Sequence, residues 1–407
     1  MPEEFDLILW NALATDPWIT QLIAASQEDR SAYLQMLTLG LPYAYSRAHQ
    51  SNILGEMLLR RLCEDVNIWT RACLEHTLTE QLDRWALREL EGIWLGWYQQ
   101  DWPAMSANWH VPDLTHIDLP TAHPMQNQPF EQSITHMLQA EDAAQLLAHM
   151  KTHIERFGVG ENSDCVAFEW RENALQGLPQ VDEIDFSQLQ HIEFQRDILL
   201  ENTRNFLAGR HANNVLLCGH MGSGKSSSVK ALLAHFAAGG LRVVELAHSG
   251  FASLPVLMQE LNVRGGYYII FIDDLSFDAN DPSYTQLKIA LDGHLARPSQ
   301  RILFHATSNR RNIVRDNWGD RRESDDVHAN DTLNEKHSLA ERFGIKLYFG
   351  SYSQQEYLDM IAQALEAMDI PFDKSVQAEA ILWERTYHAR SGRTAANFVK
   401  HYLAKQS

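Results

Sequence analysis

Cysteine is scarce: only four of the 407 residues are cysteines (Cys63, Cys73, Cys165, Cys218), and no two form a CxxC pair. That excludes a disulfide framework or a cysteine zinc cluster and fits reduced thiols in a reducing compartment. Long apolar runs are also missing, and none approaches the roughly 18 residues that a membrane span needs. The opening MPEEFDLILWNALATD lacks the basic and apolar regions of a secretory signal, so a cytoplasmic protein with no membrane contact is expected. Basic charge is in short supply, with 34 Lys+Arg against 53 Asp+Glu and a net charge of −19. An acidic surface repels phosphate backbones and disfavours a dedicated nucleic-acid coat. What is present, 45% hydrophobic and 21% charged residues, is the composition of a soluble globular chain of two or three domains.

The acidity is unevenly placed. Residues 1–190 hold 28 acidic and 10 basic residues, whereas residues 191–407 hold 25 and 24, and nine of the 11 tryptophans fall in the first part. Two domains of different ancestry are implied. Helical spacing in WITQLIAASQEDRSAYLQMLTLGL, ILGEMLLRRLCEDVNIWTRACLEH and LDRWALRELEGIWLGWYQQ predicts a bundle. An irregular, proline-rich connection over 101–130 follows, and then a helix in EDAAQLLAHMKTHIERFG closed by Gly158. CVAFEW reads as a short strand inside a linker. From His191 the runs NVLLC, RVVELA, YYIIFID, RILFHAT and KLYFG predict a doubly covered parallel sheet, and only helices follow Gly350. The expected organisation is an acidic helical domain (1–160), a linker with a strand (161–190), an α/β core (191–350) and a helical lid (351–407).

The sharpest motif is Gly219-His220-Met221-Gly222-Ser223-Gly224-Lys225-Ser226, set between the strand NVLLC and a helix that begins near Ser226. It satisfies G-x-x-x-x-G-K-[ST] in the context that gives the pattern meaning. The glycines let backbone N–H groups, through Ser227, point at a β-phosphate, and the helix N-terminus adds partial positive charge. Lys225 supplies a cation for β- and γ-phosphate oxygens, and the Ser226 hydroxyl suits Mg²⁺. Cys218 beside the loop reads as a small apolar residue. A second motif, YYIIFIDDLSF, ends a buried strand in Asp273 and Asp274. Asp273 is placed to hold Mg²⁺ in the Walker-B role, and Asp274 to polarise a water, a job usually given to the longer glutamate. ATP binding is therefore a firmer expectation than rapid hydrolysis.

The order of these motifs with RILFHATSN, LAERFGI and SGRTAANFV resembles the AAA+ ATPases. Lys225, Asp273, Asn309, Arg342 and Arg393 follow one another at intervals of 48, 36, 33 and 51 residues. Within that class, GRHANNVLLCGHMGSGKSSSVKALL, FIDDLSFD, SYTQLKIALDG, ATSNRRNI and SLAERFG are similar to the bacterial family called domain of unknown function eight-fifteen, from about Cys165 onward. The resemblance implies an α/β P-loop NTPase (AAA+) with a parallel sheet and a C-terminal helical lid, preceded by the helical domain. It implies sensor 1 for Asn309, an arginine finger reaching a neighbouring subunit for Arg342, and sensor 2 for Arg393. Arg310 and Arg311 compete for the finger role. A homo-oligomer driven by ATP and Mg²⁺ is expected, with the acidic domain recognising a protein partner. A helicase-loader or transposition-like ATPase and an ATP-gated module with little turnover stay open as alternatives.

Other constellations are weaker. His110, His116 and His123 match no zinc spacing and read as loop residues. The stretch from Arg310 to Lys336 carries six basic and seven acidic residues and reads as a solvated loop. Phe251 falls where threading machines place an aromatic pore loop, but it reads better as a residue packed under the sheet. Trp94 and Trp97, at helical spacing, read as bundle core.

Overall fold

The computed structural model describes residues 8–47, 52–98, 100–113, 115, 128–178, 181–182, 184–276, 282–292, 300–309, 339–387 and 390–406. A helical layer comes first: α1 (Pro17–Ser26), α2 (Arg30–Arg47), α3 (Ile53–Glu64), α4 (Ile68–Glu75), α5 (Glu80–Tyr98), α6 (Trp102–Trp109), α7 (Gln128–Leu138) and α8 (Ala143–Phe157). Each of the first two apolar stretches divides at a short polar break. Asp65-Val66-Asn67, for example, stops α3, and the Asn67 side chain caps α4 by accepting from Trp69 N and Thr70 N.

Two helices interrupt the connection that the sequence suggests is irregular. The Asp101 carboxylate accepts from Ala104 N, and Pro103 sits in the first turn of α6, where its missing N–H costs nothing. In α7, Phe130, Ile134 and Met137 bury one face. Trp10, Trp18, Trp69, Trp94 and Trp102 are all in the core of this layer. The Trp97 side chain lies outside the described residues.

The sheet has seven strands: β1 (Ala167–Arg171), β2 (Ala174–Gly177), β3 (Val215–Gly219), β4 (Leu241–Glu245), β5 (Tyr267–Ile272), β6 (Ile302–Ser308) and β7 (Ile345–Phe349). Their order is β2-β1-β4-β5-β6-β3-β7. Every pairing is parallel except the β1–β2 hairpin. The strand read as part of a linker is thus joined to the sheet, with Phe168 opposite Val244. Successive residues alternate between two cores: Leu216, Val244, Ile270 and Phe304 fill one face, and Val215, Val243, Ile269 and Leu303 fill the other. The faces are covered by α9 (Glu193–Leu207), α10 (Lys225–Phe236), α11 (Leu254–Arg264) and α12 (Pro282–Asp292). Phe251 is fully buried in one of these cores. The chain ends in a lid of α13 (Gln354–Glu366), α14 (Lys374–Tyr387) and α15 (Gly392–Gln406), which has its own core around Tyr357, Ile361 and Phe398.

The helical layer docks on the N-terminal ends of the strands. Arg156 Nη2 donates to Ala238 O just before β4 (2.7 Å), Val159 N to Arg264 O before β5 (2.8 Å), and Arg301 Nη2, before β6, to Leu74 O (2.6 Å). Gly158 allows the close approach, with φ 76° and ψ −164°, a region open essentially to glycine. A Cβ there would lie 2.6 Å from Arg264 O. Arg60, 1% exposed, meets Glu56 (3.0 Å), Glu131 and Asp164 (3.7 Å) near this seam. Removing Arg60 would leave these carboxylates without their counter-charge at a cost of several kcal/mol, roughly 3–5.

Candidate functional site

In a parallel sheet the strand C-terminal ends lie together, and ligands of α/β folds bind there. Gly219 ends β3 opposite Phe349, Cys218 is opposite Ser308, and Ile272 is opposite Ala306. The two motif loops and Asn309 therefore emerge at one edge.

The phosphate loop takes its shape from three glycines. Gly219 has φ 149°, and a Cβ on it would lie 2.0 Å from Phe349 O; Gly222 and Gly224 have φ 75° and 96°. Gly224 precedes α10 and offers no side-chain cap, so the first-turn N–H groups of that helix are left for an anion. Ser223 is buried, and its Oγ donates to His220 O (2.8 Å). His220 and Met221 are exposed, and Ser227 is half-buried. Lys225 is 6% exposed, and its ammonium donates to Gly219 O (2.9 Å), His220 O (2.6 Å) and Asn309 Oδ1 (2.9 Å). Burial lowers its pKa, and Asp273 and Asp274 oppose that shift.

The two carboxylates are held separately. Asp273 Oδ1 accepts from Ser226 Oγ (2.7 Å) and Thr307 Oγ1 (2.5 Å). Asp274, with φ 53°, donates its N–H to the same Thr307 hydroxyl (2.8 Å), and its Oδ1 accepts from Asn309 Nδ2 (2.8 Å). The orientation of the Asn309 amide follows from its neighbours, oxygen toward the ammonium and nitrogen toward the carboxylate. Ser226 and Asp273 supply two adjacent hard oxygens, the donor type that Mg²⁺ takes, and the uncapped N–H groups with Lys225 suit phosphates. The residues present thus fit both groups.

Arg393, the second residue of α15, is exposed, and its Cβ is 3.6 Å from a Cβ built on Gly222. Arg342 lies at the opposite end of the sheet, three residues before β7. It lines a cavity of about 1300 Å³ with Arg71, Glu75, Arg210 and Ile289. Arg310, Arg311 and the rest of that charged stretch, like His116 and His123, lie outside the described residues. No group of three or more His, Cys, Asp or Glu among the described residues is placed to hold a metal ion. No described helix is long and apolar enough to cross a membrane.

Three contacts escape sequence reasoning. Thr307 orients both aspartates. Tyr352 OH donates to Ser223 O (2.9 Å), and Gly392 N donates to Gly222 O (3.1 Å). Thr307 had a signal, since it lies on β6 two residues before Asn309, which follows that strand; a lone tyrosine after β7 had none.

A sheet ordered β4-β5-β6-β3-β7, with a phosphate loop after β3, paired aspartates after β5, a polar residue after β6 and a helical lid, is the α/β P-loop architecture of AAA+ ATPases. Residues 163–406 match the family described as protein of unknown function DUF815. The chain belongs to that family. Among solved structures it is similar to the Thermotoga maritima RuvB Holliday junction branch migration motor, with 16% identity, TM-score 0.37, and coverage of 54% of this chain and 63% of that one. It is also similar to Aeropyrum pernix Orc1 in complex with DNA, with 16% identity, TM-score 0.39, and coverage of 53% and 60%. The chain thus spans about six tenths of the length of each. No curated protein matches it.

Proposed function

We propose that this protein binds ATP with Mg²⁺ at the phosphate loop, hydrolyses it as a homo-oligomer, and uses the cycle to act on a protein partner through its acidic helical layer. The observation that carries the reading is the division of labour between the aspartates: one is tied to the Ser226 hydroxyl, the other to the amide that also contacts Lys225. Bound Mg²⁺·ATP supplies the phosphoryl group and a dication that neutralises charge on it.

The chain's own residues do the rest. Lys225 would exchange its loop carbonyls for phosphate oxygens, and Ser226 with Asp273 would hold the metal. Asn309 would hold Asp274 so that its carboxylate orients a water and takes the proton that the water loses. Arg393 would approach the nucleotide from the lid of its own subunit. Arg342 precedes the start of β7 while the loop sits at the far end, a separation on the order of 15–20 Å at strand rise. That distance favours action on the site of a neighbouring copy. The charge of residues 1–190, 28 acidic against 10 basic, favours a protein target over nucleic acid.

The test is phosphate release from ATP by the full chain and by Lys225→Ala and Asp273→Ala. Turnover in the wild type and its loss in both variants is expected. ATP binding with no phosphate release by the wild type would instead mark an ATP-gated module. Native mass with and without ATP checks assembly, and a partner captured by the full chain but lost when the acidic surface is neutralised checks the target.

A further inference from the structure

Two groups from the lid region grip the phosphate loop through its carbonyls, and neither belongs to the motif. Tyr352 stands three residues past β7 and just ahead of α13, half-buried, with its ring centroid 6.3 Å from that of His191. Its hydroxyl donates to Ser223 O at 2.9 Å. Burial, helped by Glu356 and Glu193, pushes its pKa up to about 12, so the hydroxyl keeps its proton and stays a donor at neutral pH. Gly392 N, at the start of α15, donates to Gly222 O at 3.1 Å, and Ser391 packs so closely that a Cβ on Gly222 would lie 2.8 Å from its Oγ.

We propose that Tyr352 is a positioning residue of the phosphate site: by holding the Ser223 carbonyl toward the lid, it turns the Gly224 N–H toward the phosphates. The inference rests on the reading of this loop as an ATP site. The described chain has no cis peptide bond, and in a trans peptide the C=O and the following N–H point in opposite directions. Fixing one fixes the other. The grip is needed because glycine makes this peptide free to turn: Gly222 and Gly224 both have positive φ, and each orders at a larger entropic cost than any other residue. A cradle ordered before the anion arrives binds it more tightly than one the anion must order. Since both donors come from the lid, lid position and loop shape are mechanically tied.

The experiment is calorimetric titration of ATP and ADP into the full chain, its Tyr352→Phe variant and a Gly392→Pro variant. Phenylalanine keeps the ring and removes only the hydroxyl. Proline removes the second N–H at a first helical position where proline is tolerated, and its ring carbon displaces the Gly222 carbonyl that the N–H had held. In Tyr352→Phe the Kd for ATP and for ADP is expected to rise together by about fivefold, the loss of roughly one hydrogen bond, with binding stoichiometry unchanged. KM should rise by the same factor with kcat within twofold, because the N–H contacts ground and transition states alike. Gly392→Pro should shift both affinities in the same direction and serves alone should Tyr352→Phe fail to fold. Unchanged affinity in the variant that folds, or a fall in stoichiometry without a change in Kd, overturns the proposal. If the wild type itself binds no ATP, it is the reading of the loop as an ATP site that fails.

Discussion

The Lys225 ammonium lies 2.9 Å from Oδ1 of Asn309, a residue 84 positions further along the chain. In the proposed site the contact makes Asn309 the joint between the group that would meet phosphate and the carboxylate that would orient water, since its Nδ2 reaches Asp274 at 2.8 Å. Asn309→Ala should therefore leave ATP affinity within about threefold and lower kcat by roughly 10², the scale of losing one preorganised polar group. Single-turnover phosphate release alongside equilibrium ATP titration separates the two effects. Weakened ATP binding with an unchanged single-turnover rate would make Asn309 a binding residue only.

The aspartates should fail differently. Asp273 is bonded to the Ser226 and Thr307 hydroxyls, so Asp273→Ala removes the carboxylate proposed to hold the metal, and Mg²⁺ should no longer strengthen ATP binding. Asp274→Asn keeps shape and keeps an oxygen for Asn309 but removes the charge that would take a proton in the proposed reaction. ATP should bind with the same Mg²⁺ dependence, while turnover falls by roughly 10²-fold or more. Comparing ATP titrations with and without Mg²⁺ for the two variants decides the assignment, and identical behaviour would refute it.

Much of this site is legible from the chain alone, and the reason is physical. A phosphate loop needs glycines at fixed intervals next to a strand, and each of β3 to β6 is buried on both faces, so its apolar run is nearly continuous. β7, at the sheet edge, instead alternates, with Leu347 and Phe349 buried and Lys346 and Tyr348 exposed. What escapes is whatever depends on distant contacts. β1 joins the sheet because Phe168 and Trp170 find a core that residues 244–275 build, and no local pattern announces a partner that far away. In α6 and α7, prolines mask the periodicity although Pro103 begins a helix and does not break one. The roles of Tyr352 and Gly392 are set by main-chain carbonyls of another segment, which any sequence would display.

Arg342 gives a test of assembly. Placed at the strand end away from its own loop, it should act only on a neighbour, so Arg342→Ala should bind ATP normally and hydrolyse it about 10³-fold more slowly, the range of an arginine supplied in trans. Lys225→Ala has the complementary defect. Mixing the two inactive variants should restore part of the wild-type rate, because some interfaces then pair an intact loop with an intact arginine. A mixture as inactive as its components, in a chain that assembles, would place Arg342 outside the reaction.

His305, in the middle of β6, couples this core to pH. It is fully buried between β5 and β3, neither ring nitrogen has a hydrogen-bond partner among the described residues, and burial pushes its pKa down to about 3 from an ordinary 6.5. The folded chain therefore holds the ring neutral, whereas the unfolded chain takes up a proton as pH falls below about 6.5. Unfolding then gains protons, so the stability present in full above pH 6.5 declines progressively toward pH 3. His153, buried in the helical layer and also lowered to about 3, by burial and then by the Arg60, Arg242 and Arg156 charges, adds to the same window. His305→Leu removes one of these groups and an unpaired polar ring with it. Its Tm should fall less steeply than that of the wild type between pH 6.5 and 4.5, and its Tm at pH 7.5 should be no lower, because an apolar side chain replaces unsatisfied nitrogens. Parallel Tm curves for the two proteins across that range would show that His305 is protonated, or partnered, in the folded state.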